Sequence, residues 1–259
     1  MKKLLLASLF MLFAGPLPAM SPEQQGREIF ETIDKRETGF GDSRADVKMI
    51  LKNRNGDESL RLLEIKTLEV IGDGDKSLTI FDSPRDVKGT AFLSFTHALT
   101  PDDQWLYLPA LKRVKRISSA NKSGPFLGSE YAFEDLTSNE IEKYEYKYLR
   151  DEQLNGTDCY VVELKPRYEH SGYTRLESWV EKDRYLVLKI DYYDRKNALL
   201  KTLTFNDYRQ YLDQYWRSLD QSMVNHQNGK STQLLSENFQ FQTGLTERDF
   251  DRNALKRSR

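Results

Sequence analysis

The chain has 259 residues, with 39 Lys and Arg against 40 Asp and Glu, for a formal net charge of −1. Lacking a basic excess, it does not fit a nucleic-acid-binding domain, and its single cysteine, Cys159, excludes an internal disulfide and a cysteine-based zinc site. The length suits one large β domain or two small ones, held by a core rather than by cross-links.

Residues 1–19 have the three parts of a secretory signal peptide. Lys2 and Lys3 give the positive end, Leu4 to Phe13 an apolar run, and Gly15, Pro16 and Pro18 break it ahead of Ala19. The run is shorter than the ~20 residues a bilayer-spanning helix needs. No cysteine near the cleavage region is available for lipid attachment. The expectation is a cleaved signal peptide, 1–19, and one mature domain, 20–259. That domain is expected to be exported, soluble, untethered and monomeric in the periplasm of a Gram-negative bacterium.

Ser21 to Glu37 read as a helix. Ser21 caps it, Pro22 suits its first position, Glu23 favours its positive end, and Ile29, Phe30 and Ile33 make an apolar stripe. The period then changes from helical to alternating. Val47, Met49 and Leu51 alternate with polar residues. Leu60 and Leu62 share one face and Leu63 and Ile65 the other, which suggests a β-bulge or a bent strand. A turn at Gly72–Asp75 precedes the strand KSLTIF, and DDQWLYLP and RVKRIS make strands around Pro109 and Ala110. Asn155-Gly156 and Asn228-Gly229 are hairpin signals. Between them come RLESWVEK, YLVLKIDYY and LLKTLTF, and Thr246 caps a short closing helix.

Evenly spaced turns between β-branched and aromatic runs predict a mainly β fold with a few helices, a large antiparallel sheet curled or sandwiched. Several strands are apolar on both faces. Leu186, Leu188, Ile190 and Tyr192 share one face of YLVLKIDYY by alternation, and Leu199, Leu203 and Phe205 oppose Leu200. Ordinary core packing accounts for this, and so does a greasy concave face that holds a ligand. On the second reading Trp179, Leu186, Leu188, Ile190, Leu203, Phe205 and Phe239 line an apolar cavity.

Catalytic patterns are weak. His97, His170 and His226 are scattered outside any HExxH pattern, no GxSxG elbow occurs, and GKST at Gly229–Thr232 lacks the first glycine of a phosphate loop. GDGD lacks the further ligands of a calcium loop. The expectation is a non-enzymatic protein with no cofactor and no metal.

Three stretches carry a resemblance. QWLYLPALKRVKRISSANKSGPFLGSEYAFEDL (Gln104–Leu136), PRDVKGTAFLSF (Pro84–Phe95) and GREIFETID (Gly26–Asp34) resemble the outer-membrane lipoprotein-sorting protein family. The resemblance implies a half-open, strongly curved antiparallel β-barrel with helices covering an apolar concave face. It implies a periplasmic carrier or chaperone for lipid or lipoprotein acyl chains in transport toward the outer membrane. It also implies a link to inner-membrane RND-type exporters, so the alternative is a non-enzymatic accessory subunit of such an exporter.

The cations Lys112, Arg113, Lys115 and Arg116 fall on both faces of one strand, which predicts an edge strand. Blunting of edge-to-edge aggregation is one role for them. Docking onto lipid headgroups or an acidic exporter surface is the other. In the adjoining loop, Gly124 and Gly128 permit bending, and Phe126, Leu127, Tyr131 and Phe133 are expected to form a movable lid.

Overall fold

Ser21 opens helix α1 (Pro22–Glu37) through a reciprocal capping box: its hydroxyl accepts from the Gln24 amide at 3.1 Å, and its own amide donates to the Gln24 side chain at 3.1 Å. Ile29 and Phe30 are buried. Lys35 and Arg36 lie in the last turn, where positive charge suits the helix dipole. A computed structural model of the chain describes residues 20–257, so the expected signal peptide lies outside the described residues.

Thirteen strands follow α1. The first six are β1 (Asp42–Lys52), β2 (Glu58–Leu68), β3 (Lys76–Ser83), β4 (Ala91–Phe95), β5 (Asp103–Leu108) and β6 (Arg113–Ile117). A connector, residues 118–143, leads to β7 (Tyr144–Leu154), β8 (Thr157–Pro166), β9 (Tyr173–Glu181) and β10 (Val187–Asp194). The last are β11 (Leu199–Tyr211), β12 (Tyr215–Asn225) and β13 (Ser231–Phe241). All lie in one sheet of order β6-β5-β4-β3-β2-β1-β13-β12-β11-β10-β9-β8-β7. Two meanders therefore meet where β1 pairs with β13, and the connector crosses from one edge of the sheet to the other.

Turn chemistry sets the hairpins. Asn155 and Gly156 have φ of 53° and 85°, and Leu154 pairs with Thr157 across this two-residue turn between β7 and β8. The second Asn-Gly pair falls in a longer loop between β12 and β13, where Gly229 takes the left-handed conformation. The irregularity expected near Leu62 is a register shift in which Asp82 of β3 has no partner in β2. Leu60 and Leu62 are left on the exposed face, whereas Leu63 is buried.

Each strand contributes at least one side chain to a single apolar cluster, for example Val47, Phe81, Ile117, Tyr146, Val162, Leu203, Met223 and Leu234. Ile29 and Phe30 of α1 and Phe126 and Phe133 of the connector belong to the same cluster. Thirteen strands reach one cluster only if the sheet curls around it. The curled sheet is not closed, since β6 and β7 remain its two edges. This is the half-open, helix-covered β architecture expected from the sequence.

The outer face carries two smaller clusters. Phe250 and Leu255 of the C-terminal segment, which ends in helix α2 (Ala254–Arg257), pack with Leu78, Leu93 and Tyr107. Cys159, Val161 and Trp179 form the other.

Candidate functional site

Between α1 and the inner face of the sheet lies a cavity of about 310 Å³. Its apolar lining comes from Ile33 of α1, Ala45 and Val47 of β1, Ile65 of β2, Val187 of β10, Phe205 of β11 and Phe239 of β13, with Leu186 just before β10. Glu37, Arg44, Tyr208, Arg217 and Ser218 bring polar groups to the same space. The lining is thus amphipathic, with a volume at the lower end of the roughly 300–1,000 Å³ typical of ligand pockets.

An outer groove of about 790 Å³ runs along α1 and shares Ile33, Glu37, Tyr185, Leu186 and Trp216 with the cavity. These five residues form the wall shared by the groove and the inner space. The C-terminal turn of α1 closes over it. The Arg36 guanidinium donates to the carbonyl oxygen of Arg184 at 2.8 Å and lies 4.5 Å from the Tyr185 ring centroid. Glu37 forms an ion pair with Arg217 of β12, whose guanidinium also sits over the Phe40 and Phe241 rings.

The expected cavity residues separate into three groups. Leu186, Phe205 and Phe239 line the space. Ile190 and Leu203 pack into the inner-face core without reaching it. Trp179 and Leu188 sit instead on the outer face, beside Cys159 and Val161. The physical reason for Leu188 is a register shift: Val187 pairs with Val180 and Lys189 with Trp179, so Leu188 is an extra residue and strict alternation fails there. Trp179 is held outside by polar neighbours, since its indole N–H donates to Glu152 at 3.0 Å and Lys189 Nζ lies 3.5 Å from its ring centroid.

The connector is an anchored wall, where a movable cover was expected. Phe126 packs on Phe92 and Phe133 with ring centroids 5.1 and 5.5 Å away, and Tyr131 and Phe133 are buried with it. Leu127 packs against the same cluster, and its carbonyl accepts from Arg61 at 2.7 Å. Two buried ion pairs pin the segment to the sheet: Asp135 to Lys201 at 2.5 Å and Lys143 to Asp102 at 2.6 Å. Glu134 accepts from the Gly172 amide and from the Ser171 and Tyr168 hydroxyls, and its burial still pushes its carboxyl above the usual range. Buried pairs of this kind fix geometry more than they add stability.

Lys112, Arg113, Lys115 and Arg116 are all exposed, and the last three lie on β6, which is an edge strand. Arg116 pairs with Asp103 of β5. The histidines are apart. His97 lies 2.7 Å from Asp73 and 3.7 Å from Asp103, while His226 meets Thr202 at 2.8 Å. Among the described residues no group of His, Cys, Asp or Glu is arranged to hold a metal ion, and no helix is long and apolar enough to cross a membrane.

Pattern reasoning missed Ile33, Ile65, Val187, Trp216 and Arg217 as lining residues. Ile33 was legible as part of the α1 stripe. The alternation that put Val187 on the wrong face is the one the register shift breaks.

Comparisons with known proteins agree with this architecture. A family model described as "-like: Uncharacterized protein" matches residues 73–257. Comparison with curated proteins gives no match. A solved domain from Vibrio parahaemolyticus, named for outer membrane lipoprotein sorting, is 58% identical, with a TM-score of 0.89 over 90% of this chain and 99% of that one. A DUF1329 family protein from Desulfovibrio piger is 30% identical, with a TM-score of 0.85 over 91% of this chain and 99% of that one. A LolA superfamily protein from Nitrosomonas europaea shares the fold at 20% identity, with a TM-score of 0.71 over 88% of this chain and 98% of that one. The chain belongs to the outer-membrane lipoprotein-sorting family and has the LolA-like fold.

Proposed function

We propose that the protein is a periplasmic carrier that shields an acyl chain of a lipid or lipoprotein in the cavity beneath α1. The cavity itself is the observation that carries this reading: the inner face of a curled sheet is left unfilled where Ile33, Val47, Phe205 and Phe239 converge. Each buried methylene is worth about 0.8 kcal/mol, so a long acyl chain exposed to water costs on the order of 10 kcal/mol. A pre-formed apolar space removes much of that cost, and the polar side near Arg217 and Glu37 suits the wetter end of an amphiphile. The sorting family to which the chain belongs supports a carrier fold, and the N-terminal signal-peptide pattern supports export.

In this reading the cargo passes to or from a membrane partner, for which an inner-membrane RND-type exporter is the leading candidate, and the rim cations of β6 serve docking. A fixed accessory subunit of an exporter would have no use for an internal cavity, and for that reason the carrier reading is preferred. Reaction chemistry is not part of the proposal.

Trp216 supplies the test, because it lies in the wall between groove and cavity. With Trp105 and Trp179 changed to Phe, Trp216 is the sole indole. Titration with a brominated fatty acid is expected to quench it saturably, and Phe205→Glu to weaken the quenching in a protein that still folds. Absence of quenching up to the solubility limit of the fatty acid overturns the reading.

A further inference from the structure

The two edges of the sheet are treated differently. At β7 the helix α1 lies directly on the strand: a Cβ built on Gly26 would come within 2.7 Å of the Tyr148 amide nitrogen and 2.8 Å of the Lys147 carbonyl carbon. At β6 nothing among the described residues takes that place. The strand pairs with β5 on one side, and among the described residues no backbone hydrogen bond reaches it from the other. An uncovered edge of this kind is a row of free N–H and C=O groups, a template for another strand.

The side chains of this edge select what it accepts. Ile117 belongs to the inner-face cluster and Val114 packs on the outer-face cluster. By alternation Arg113 and Lys115 project with Ile117, and Arg116 with Val114. Lys112, Arg113 and Lys115 have no carboxylate partner among the described residues, and all three are exposed. Unpaired positive charge thus flanks the open edge through Arg113 and Lys115 on the side of Ile117 and through Lys112 at its start, whereas Arg116 on the other side is paired with Asp103. A second copy of this edge is repelled by it. A flat anionic bilayer meets one face of a sheet at a time and makes no use of the free backbone groups. An extended polypeptide laid along β6 satisfies those groups and places every second side chain beside Arg113 and Lys115.

We propose that β6 is a docking strand, and that its partner is an acidic, extended polypeptide segment that adds to the sheet beside it as a further antiparallel or parallel strand. The inference deepens the docking element of the function proposed above, and it requires no bound lipid. Like-charge repulsion against self-pairing and attraction for an acidic strand come from the same residues, which is how one edge is both protected and specific.

The test uses the mature protein and three fluorescein-labelled peptides of equal length: an acidic one of alternating Glu and Val, the same peptide N-methylated at alternate residues, and a basic one of alternating Lys and Val. Anisotropy is read at low and high salt, with anionic phosphatidylglycerol vesicles as a separate arm. The acidic peptide is expected to bind, with affinity falling at high salt and falling by on the order of tenfold in Arg113→Glu/Lys115→Glu. N-methylation is expected to abolish binding, because it removes backbone donors and leaves the charge in place. Both substituted side chains are exposed, so the thermal transition of the variant is expected to match the parent. Equal binding of the N-methylated peptide overturns strand addition in favour of simple charge attraction. Binding of vesicles but not of the acidic peptide overturns it in favour of a membrane surface, and binding of neither overturns it outright. Quenching of Trp216 by brominated fatty acid is read on the same variant, where it is expected to be unchanged. Loss of peptide binding and loss of lipid uptake are thereby scored separately.

Discussion

Gly26 of α1 and Tyr148 of β7 touch through their backbones, with room at Gly26 for a hydrogen and not for a methyl group. This contact sets how closely the helix lies on the sheet edge, and hence where its far end hangs over the cavity. Gly26→Ala would ordinarily favour a helix by up to about 1 kcal/mol. Here the added Cβ meets backbone that has no rotamer to change, so a net destabilisation of about 1–3 kcal/mol is expected. Urea denaturation measures it, and a neutral or stabilising effect refutes the contact.

Leu188 and Phe205 make a matched pair. Leu188 packs on the outer face and Phe205 lines the cavity. Leu188→Ala is expected to cost stability and leave fatty-acid uptake unchanged. Phe205→Ala is expected to enlarge the cavity and alter uptake. Parallel titrations with a fluorescent fatty acid decide the matter, and equal effects at the two positions contradict the register shift in β10.

The Asp135–Lys201 pair carries a stability prediction. Both side chains are almost wholly buried, and Asp135 also accepts from the Tyr173 hydroxyl at 2.7 Å. Lys201→Met leaves a buried carboxylate without its counter-charge, which costs about 3–5 kcal/mol. Adding Asp135→Asn is expected to recover part of that loss. A double variant no more stable than Lys201→Met shows that the two residues are not coupled.

Asp75 gives the pH dependence. Burial raises its carboxyl from the ordinary 3.8 to about 7, with the Val70 amide opposing the shift. Between those two values the folded state holds a proton that the unfolded chain releases, so this group's contribution to stability falls as pH rises through the window. Asp75→Asn removes that loss. It is expected to be more stable than the parent at about pH 8, by on the order of 2 kcal/mol, and to gain little at about pH 4. Thermal melts across the range check it, and the opposite trend would contradict the burial.

Much of this architecture is legible in the sequence. Ser21, Pro22 and Glu23 wrote the start of α1, Asn155-Gly156 wrote a hairpin turn, and the cations of residues 112–116 marked an edge strand. Each of these is a local signal, set by residues within a few positions. The cavity wall was only half legible because it depends on which face each strand turns inward. At β10 one extra residue exchanges the roles of Val187 and Leu188, and no local pattern records that exchange. The connector's contacts were not legible for a related reason. Its glycines suggested mobility, while the partners that fix it, Lys201, Asp102 and Gly172, are distant in sequence.

The central claim is that the space under α1 holds an acyl chain. The most direct measurement is native mass spectrometry of the 259-residue chain, expressed in a Gram-negative host with residues 1–19 in place and purified without detergent, followed by organic extraction and lipid identification. The account predicts a bound species at a mass offset of one lipid or acyl chain, released by extraction and reduced in Phe205→Glu. A homogeneous unliganded mass for the parent, with nothing recovered in the extract and no uptake of added fatty acid, would contradict it.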